Sequence, residues 1–247
     1  MQDRAVSLPH PATPDRDSGG TGYAATRARV TDYFDRTATR TWERLTSDAP
    51  VGRIRATVRA GRERMRAVLL DLLPADLSGL RVLDAGCGTG DGARALAARG
   101  ADVVAIDVSP NLVEIAQART PRALSGRIDW RAGDMTDPRL GRFDHVLAMD
   151  SLIYYDTETL AGLLAGLSNR VQGRIAFSLA PRTALLTLMW RAGQMFPRAD
   201  RAPTMVPQSP VRLARALRDR GLGGLRDVDR ITSGFYISTA LTLEGRA

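Results

Sequence analysis

Three glycines and three carboxylates have the spacing best suited to chemistry in this chain of 247 residues. Gly86, Gly88 and Gly90 close the run "VLDAGCGTG", which leads from an apolar stretch into a helical one. Glycines at such a junction let the backbone turn sharply and approach a ligand closely. Asp84 precedes them, and Asp107 ends the next apolar run, "ADVVAIDVS". A carboxylate at that position can accept both hydroxyls of a ribose. Asp134, with Met135 beside it in "GDM", follows a third run and is placed to accept from an adenine amino group. A glycine trio alone is a weak signal, and the strand before it, the helix after it and the acid one strand on strengthen it. A nicotinamide enzyme is the rival reading, although the spacing here is G-x-G-x-G and not the G-x-G-x-x-G usual in a dinucleotide fold.

These residues need a scaffold, and the surrounding pattern supplies one. Short apolar runs alternate with amphipathic stretches: "LRVLDAGCGTG", "DGARALAARG", "ADVVAIDVS", "PNLVEIAQAR", "RIDWRAGDM", "FDHVLAMDSLIYY", "TETLAGLLAGLSN" and "GRIAFSLAP". Buried strands alternating with helices predict a parallel sheet covered on both faces. A further helix around 210–220 and two strands near 225–231 and 235–243 complete the pattern. Upstream, residues 1–22 are rich in Pro, Asp, Ser and Gly and read as a disordered tail. Residues 23–76 read as a helical arm, with helices over 24–46 and 54–73, the second stopped by Pro74. Residues 77–247 form the main domain, with 181–207 an insertion after the fifth strand.

Composition narrows the function. The formal charge is +8, and every basic residue is arginine. Net positive charge favours acidic partners. No concentrated basic stripe with interleaved aromatics appears, so a nucleic-acid-binding protein is the weakest alternative. The single cysteine, Cys87, excludes a disulfide framework, implies a reducing compartment and reads as a small residue in a tight loop. The first residues lack the apolar core of a signal peptide. The most apolar stretch, residues 184–203, is interrupted by Arg191, Gly193 and Pro197, short of the roughly 20 residues that span a bilayer.

The glycine loop with Asp107, Asp134 and Met135 resembles the class I S-adenosylmethionine-dependent methyltransferases. The resemblance covers about 80–180, and the rest of the chain if its last two strands form a hairpin. It implies an α/β, Rossmann-like fold: a mostly parallel seven-stranded sheet with helices on both faces. It implies that Asp84, Gly86, Gly88, Gly90, Asp107, Asp134, Met135 and Asp150 bind S-adenosylmethionine, and that no protein-bound metal is needed. An acceptor of high pKa would need a base, and none is obvious. His10 lies in the tail, His145 sits within a strand and reads as structural, and "MDSLIYYD" is not an "NPPY" motif. A carboxylate acceptor, with a pKa near about 4, needs no base but does need donors to hold it.

"YFDRTATRTWERLTSD", "VRAGRERMRAVLLDLL", "LDAGCGTG", "MDSLIYYD" and "SGFYIS" together resemble the magnesium-protoporphyrin IX O-methyltransferases. That family methylates one propionate of the porphyrin in bacteriochlorophyll and chlorophyll synthesis. The resemblance implies Tyr33, on the arm, and Tyr154 as catalytic residues. Trp190, Arg191 and Arg198 of the apolar stretch, with Arg182 before it, would contact the porphyrin. Tyr154 stands where plant-like and cyanobacterial members usually have histidine, and Thr41 where arginine is common before Trp42. A cytoplasmic enzyme is implied, with peripheral contact to the photosynthetic membrane and a partner in the porphyrin-carrying subunit of the magnesium chelatase. A methyltransferase acting on a quinol is the alternative.

Overall fold

The computed structural model describes residues 18–35, 52–182 and 205–247. Two helices come first, α1 (Ser18–Tyr33) and α2 (Arg53–Asp71). The alternating part follows as β1 (Arg81–Ala85), α3 (Asp91–Ala98), β2 (Asp102–Asp107), α4 (Pro110–Ala118), β3 (Arg127–Ala132), β4 (His145–Ala148), α5 (Thr157–Ser168) and β5 (Arg174–Leu179). The chain closes with α6 (Pro210–Arg218), β6 (Arg226–Ser233) and β7 (Tyr236–Glu244). The seven strands lie in the order β3-β2-β1-β4-β5-β7-β6. β1 to β5 are parallel, and β7 runs antiparallel to both β5 and β6. This is the class I methyltransferase fold.

Strand side chains alternate between faces, and both faces are buried here. Val82, Val103 and Ala105 pack with Met65 and Leu69 of α2 and Leu96 of α3. Leu83, Val104 and Ile106 point the other way, to Leu160 and Leu164 of α5 and Leu213 of α6. The helix starts follow capping chemistry. Ser109 Oγ accepts from the Leu112 amide at 3.3 Å, with Pro110 in the first turn, and Asp156 accepts from the Thr159 amide at 2.9 Å.

Three expectations change. Residues 18–22, read as part of the tail, belong to α1. β3 is an edge strand of the sheet, and its residues are half-buried or exposed, not enclosed on both faces. β4 is only four residues long. Asp150 takes φ +56, and the chain then bends across the strand ends toward α5. That left-handed backbone is uncommon outside glycine.

Candidate functional site

β1 has β2 on one side and β4 on the other, so the chain reverses direction across the sheet there. Ligands of open α/β sheets bind in the crevice beyond the strand ends at such a switch point. A cavity lies there, open to solvent. Its floor is the glycine loop, and its walls include Asp107, Val108, Leu112, Gly133, Met135, Met149 and Asp150. The loop is tied to β2, since the Gly86 and Cys87 amides donate to the Ile106 carbonyl at 2.8 and 3.0 Å. Two glycines are fixed by space as well as by backbone. At Gly86, φ +83, a Cβ would lie 2.3 Å from the Ser151 Cβ. At Gly90, φ +84, it would lie 2.4 Å from the Trp130 ring and 2.9 Å from the Ala116 Cβ. Gly86 thus lets the end of β4 approach the loop, whereas Gly90 lies behind the cavity wall and serves packing between α4 and β3.

The carboxylates have distinct tasks. Asp107 is buried. Its Oδ2 accepts from the Gly88 amide at 2.8 Å and its Oδ1 from the Ser109 amide at 3.0 Å. It therefore holds the loop while facing the cavity. Burial raises its pKa, and the Ser109 and Gly88 amides oppose that. Asp84 is 3% exposed, and its Oδ2 has no hydrogen-bond partner. Burial and the neighbouring charge of Asp107 push its carboxyl up to about 7. Asp134 lies outside the cavity wall, a correction to its expected place. α1 occupies it: Tyr23 Oη donates to Asp134 Oδ1 at 2.5 Å, and Arg27 forms an ion pair with Oδ2. Burial opposes its ionisation, but hydrogen bonds from Tyr23 and Thr136 and the charge of Arg27 outweigh it and lower its pKa.

α1 closes one side. Val30 and Phe34 line the cavity, and Tyr23 stacks on Tyr155 with ring centres 5.3 Å apart. Tyr33 does not line it. Its ring meets Phe34 edge-on at 5.3 Å, backing the wall. Tyr154 does line it, with Phe34 at 6.4 Å. Burial and the charge of Asp150 push the Tyr154 phenol above its ordinary 10, so it stays a protonated donor. Burial likewise pushes the Cys87 thiol up, which keeps it inert. His145 is remote from the cavity, at the opposite end of β4, where its Nδ1 accepts from the Arg174 amide at 3.0 Å. It is structural, as read.

Sequence reasoning missed the residues that reach the cavity from afar. Arg62 and Arg66 of α2 both line it. Arg62 forms an ion pair with Asp150, and Arg66 Nη1 lies 3.5 Å from Asp91 Oδ2. Asp150 Oδ1 also accepts from Ser178 Oγ at 2.9 Å and from Tyr236 Oη at 3.0 Å. Arginines flanking the buried Gly61 and Met65 positions of α2 were the available signal. Arg182 is exposed and absent from the cavity wall, and its amide donates to the Gln208 carbonyl at 2.8 Å. Trp190, Arg191 and Arg198, like the whole apolar stretch 184–203, lie outside the described residues. Among the described residues no cluster of acids, histidines or cysteines could hold a metal.

An adenosyl sulfonium donor fits this site. Asp107 offers a carboxylate for the ribose, and Gly86 and Gly88 give close backbone approach.

Comparison with known proteins agrees with the geometry. Residues 82–172 match the family model "Methyltransferase domain", and residues 148–244 match "Magnesium-protoporphyrin IX methyltransferase C-terminus". The chain is 51% identical to magnesium-protoporphyrin O-methyltransferase of Rhodobacter capsulatus, over 89% of this chain and 96% of that one. It is 30% identical to the magnesium-protoporphyrin O-methyltransferase of Synechocystis, over 86% of this chain and 93% of the relative. The crystal structure of magnesium protoporphyrin IX methyltransferase from Synechocystis PCC 6803 with bound SAH superposes with a TM-score of 0.75 at 28% identity, covering 89% of this chain and 100% of that one. The chain belongs to the magnesium-protoporphyrin O-methyltransferase family.

Proposed function

We propose that the chain transfers the methyl group of S-adenosylmethionine to a propionate carboxylate of magnesium protoporphyrin IX, giving the monomethyl ester of bacteriochlorophyll and chlorophyll synthesis. One observation carries this reading. The likeness to magnesium-protoporphyrin O-methyltransferases does not stop at the donor-binding half but continues through residues 148–244.

The chemistry suits the site. The donor supplies an electrophilic methyl group. A carboxylate oxygen forms the new O–C bond as the S–C bond breaks, and the electron pair passes to sulfur. No proton moves, so the absence of a histidine or lysine from the described cavity wall is no obstacle. The chain's work is alignment, which is mainly a proximity effect. Asp107 and the glycine loop fix the donor side. The protonated Tyr154 hydroxyl donates on the acceptor side, and Val30 and Phe34 exclude water. Tyr33 steadies Phe34 in this arrangement. The same reading keeps Trp190, Arg191 and Arg198 as candidate contacts of the macrocycle, on residues outside those described.

The same reading includes a cytoplasmic enzyme with peripheral contact to the photosynthetic membrane and delivery of substrate by the porphyrin-carrying subunit of the magnesium chelatase. The charge of +8 supports contact with anionic lipid. No helix among the described residues is long and apolar enough to cross a membrane. The test is direct. Purified protein, magnesium protoporphyrin IX and S-adenosylmethionine should yield a porphyrin heavier by one methyl ester, together with S-adenosylhomocysteine. A porphyrin recovered unchanged would refute the reading.

A further inference from the structure

We infer that Arg62, on α2, holds the carboxylate that accepts the methyl group, and that Asp150 positions it there. The inference rests on the acceptor proposed above. It moves the anchoring cation from the insertion, where the sequence placed it, to a helix of the arm.

The cavity is hostile to an incoming anion. Asp107 and Asp150 both line it, so an acidic acceptor needs a cation in the same space. Two arginines are there, Arg62 and Arg66, one helical turn apart and on one face of α2. Their neighbours separate their roles. Arg66 lies against Asp91, in the first turn of α3 directly after Gly90, on the glycine-loop side. Arg62 lies against Asp150, just past the end of β4 and four residues before Tyr154. The donor passes over the glycine loop, so Arg66 stands on the donor's side and Arg62 on the acceptor's.

The position of Arg62 is built, not incidental. Its partner Asp150 is held from two strands, β5 and β7. The Asp150 amide donates to Ser178 Oγ at 2.8 Å, and that hydroxyl donates back to Asp150 Oδ1 at 2.9 Å. Tyr236 Oη, from the start of β7, donates to the same oxygen at 3.0 Å. Tyr236 in turn packs against Gly61, the residue before Arg62, where a Cβ would lie 2.7 Å from its ring. Asp150 keeps φ +56 in this frame, a strained backbone that persists only where surroundings over-determine it. The Arg62 side chain is 17% exposed, and a guanidinium presents five donors in a planar fork matched to carboxylates. Held so, Arg62 lines the cavity together with Tyr154.

The test compares magnesium protoporphyrin IX with its dimethyl ester, which has the same macrocycle and no carboxylate. Both are titrated against the full chain by tryptophan quenching. The parent should prefer the acid by about 10- to 100-fold, the range of a charge-assisted contact. Arg62→Gln should erase that preference while S-adenosylhomocysteine affinity, by calorimetry, changes less than about threefold. Arg62→Lys should restore part of the preference. Because Arg62→Gln leaves Asp150 buried without its cation, the pair Arg62→Gln/Asp150→Asn is measured beside it. The acid-to-ester ratio is read within one protein, so a partly unfolded sample does not distort it. A variant that keeps the full preference for the acid overturns the inference, as does one that loses S-adenosylhomocysteine instead. A parent that binds neither porphyrin refutes the proposed acceptor itself, which the first titration reveals.

Discussion

Asp84→Asn should change how stability depends on pH. The Asp84 carboxyl is 3% exposed, one of its oxygens has no hydrogen-bond partner, and burial with the charge of Asp107 pushes it up to about 7 from an ordinary 3.8. The sign follows from linkage. Below about pH 4 the group is protonated both folded and unfolded and costs nothing. As pH rises toward 7 the unfolded chain ionises while the folded one stays protonated, so stability falls. Above 7 the full cost of a buried charge is present. Between pH 5 and pH 8 that loss amounts to about 2–3 kcal/mol. Asparagine has nearly the same shape and no charge. Any penalty for its unpaired amide is independent of pH and cancels in the comparison. Urea unfolding at both pH values, extrapolated linearly, should show the parent losing about 2–3 kcal/mol relative to Asp84→Asn on going from pH 5 to 8. Parallel pH profiles for the two proteins would refute the reasoning, because they would mean that Asp84 is already ionised at pH 5 inside the fold.

Three further outcomes follow from the same geometry. Gly86→Ala forces a Cβ to 2.3 Å from the Ser151 Cβ at φ +83, so it should lower the melting temperature and abolish donor binding. A normal melt with intact S-adenosylhomocysteine affinity would contradict the close approach of loop and β4. Asp107→Ala frees the Gly88 and Ser109 amides and removes the ribose acceptor, and it should weaken donor binding at least about tenfold by calorimetry. With saturating S-adenosylmethionine, single-turnover methylation should be nearly flat from about pH 6.5 to 8.5, well above a propionate pKa near about 4. A rise of unit slope across that range would indicate a protonated acceptor such as a phenol.

The parts legible in the sequence were those written locally. The glycine loop, Asp107 and the alternation of strands and helices each occupy a short window, and both sheet faces are apolar along β1 and β2. Features that depend on distant partners were not legible. Asp134 looked like a ligand-binding acid, but its partners Tyr23 and Arg27 lie more than a hundred residues earlier on α1. Asp150 was singled out from its position, yet Arg62 and Tyr236, which define it, lie 88 and 86 residues away. β3 reads as a strand from "RIDWRA", but its edge position is a property of sheet order, and no local pattern encodes it. Tyr33 and Phe34 are adjacent aromatics. The helical phase of α1 decides that Phe34 faces the cavity and Tyr33 backs it, a difference of one residue that a coarse reading does not resolve.

The central claim is that the acceptor is a porphyrin carboxylate. The most direct measurement is a competition in one vessel: purified protein, S-adenosylmethionine carrying a trideuterated methyl group, and equal amounts of magnesium protoporphyrin IX and a demethylated quinol. Mass spectrometry should find one labelled methyl ester on the porphyrin and no label on the quinol. Label on the quinol with the porphyrin untouched would contradict the account.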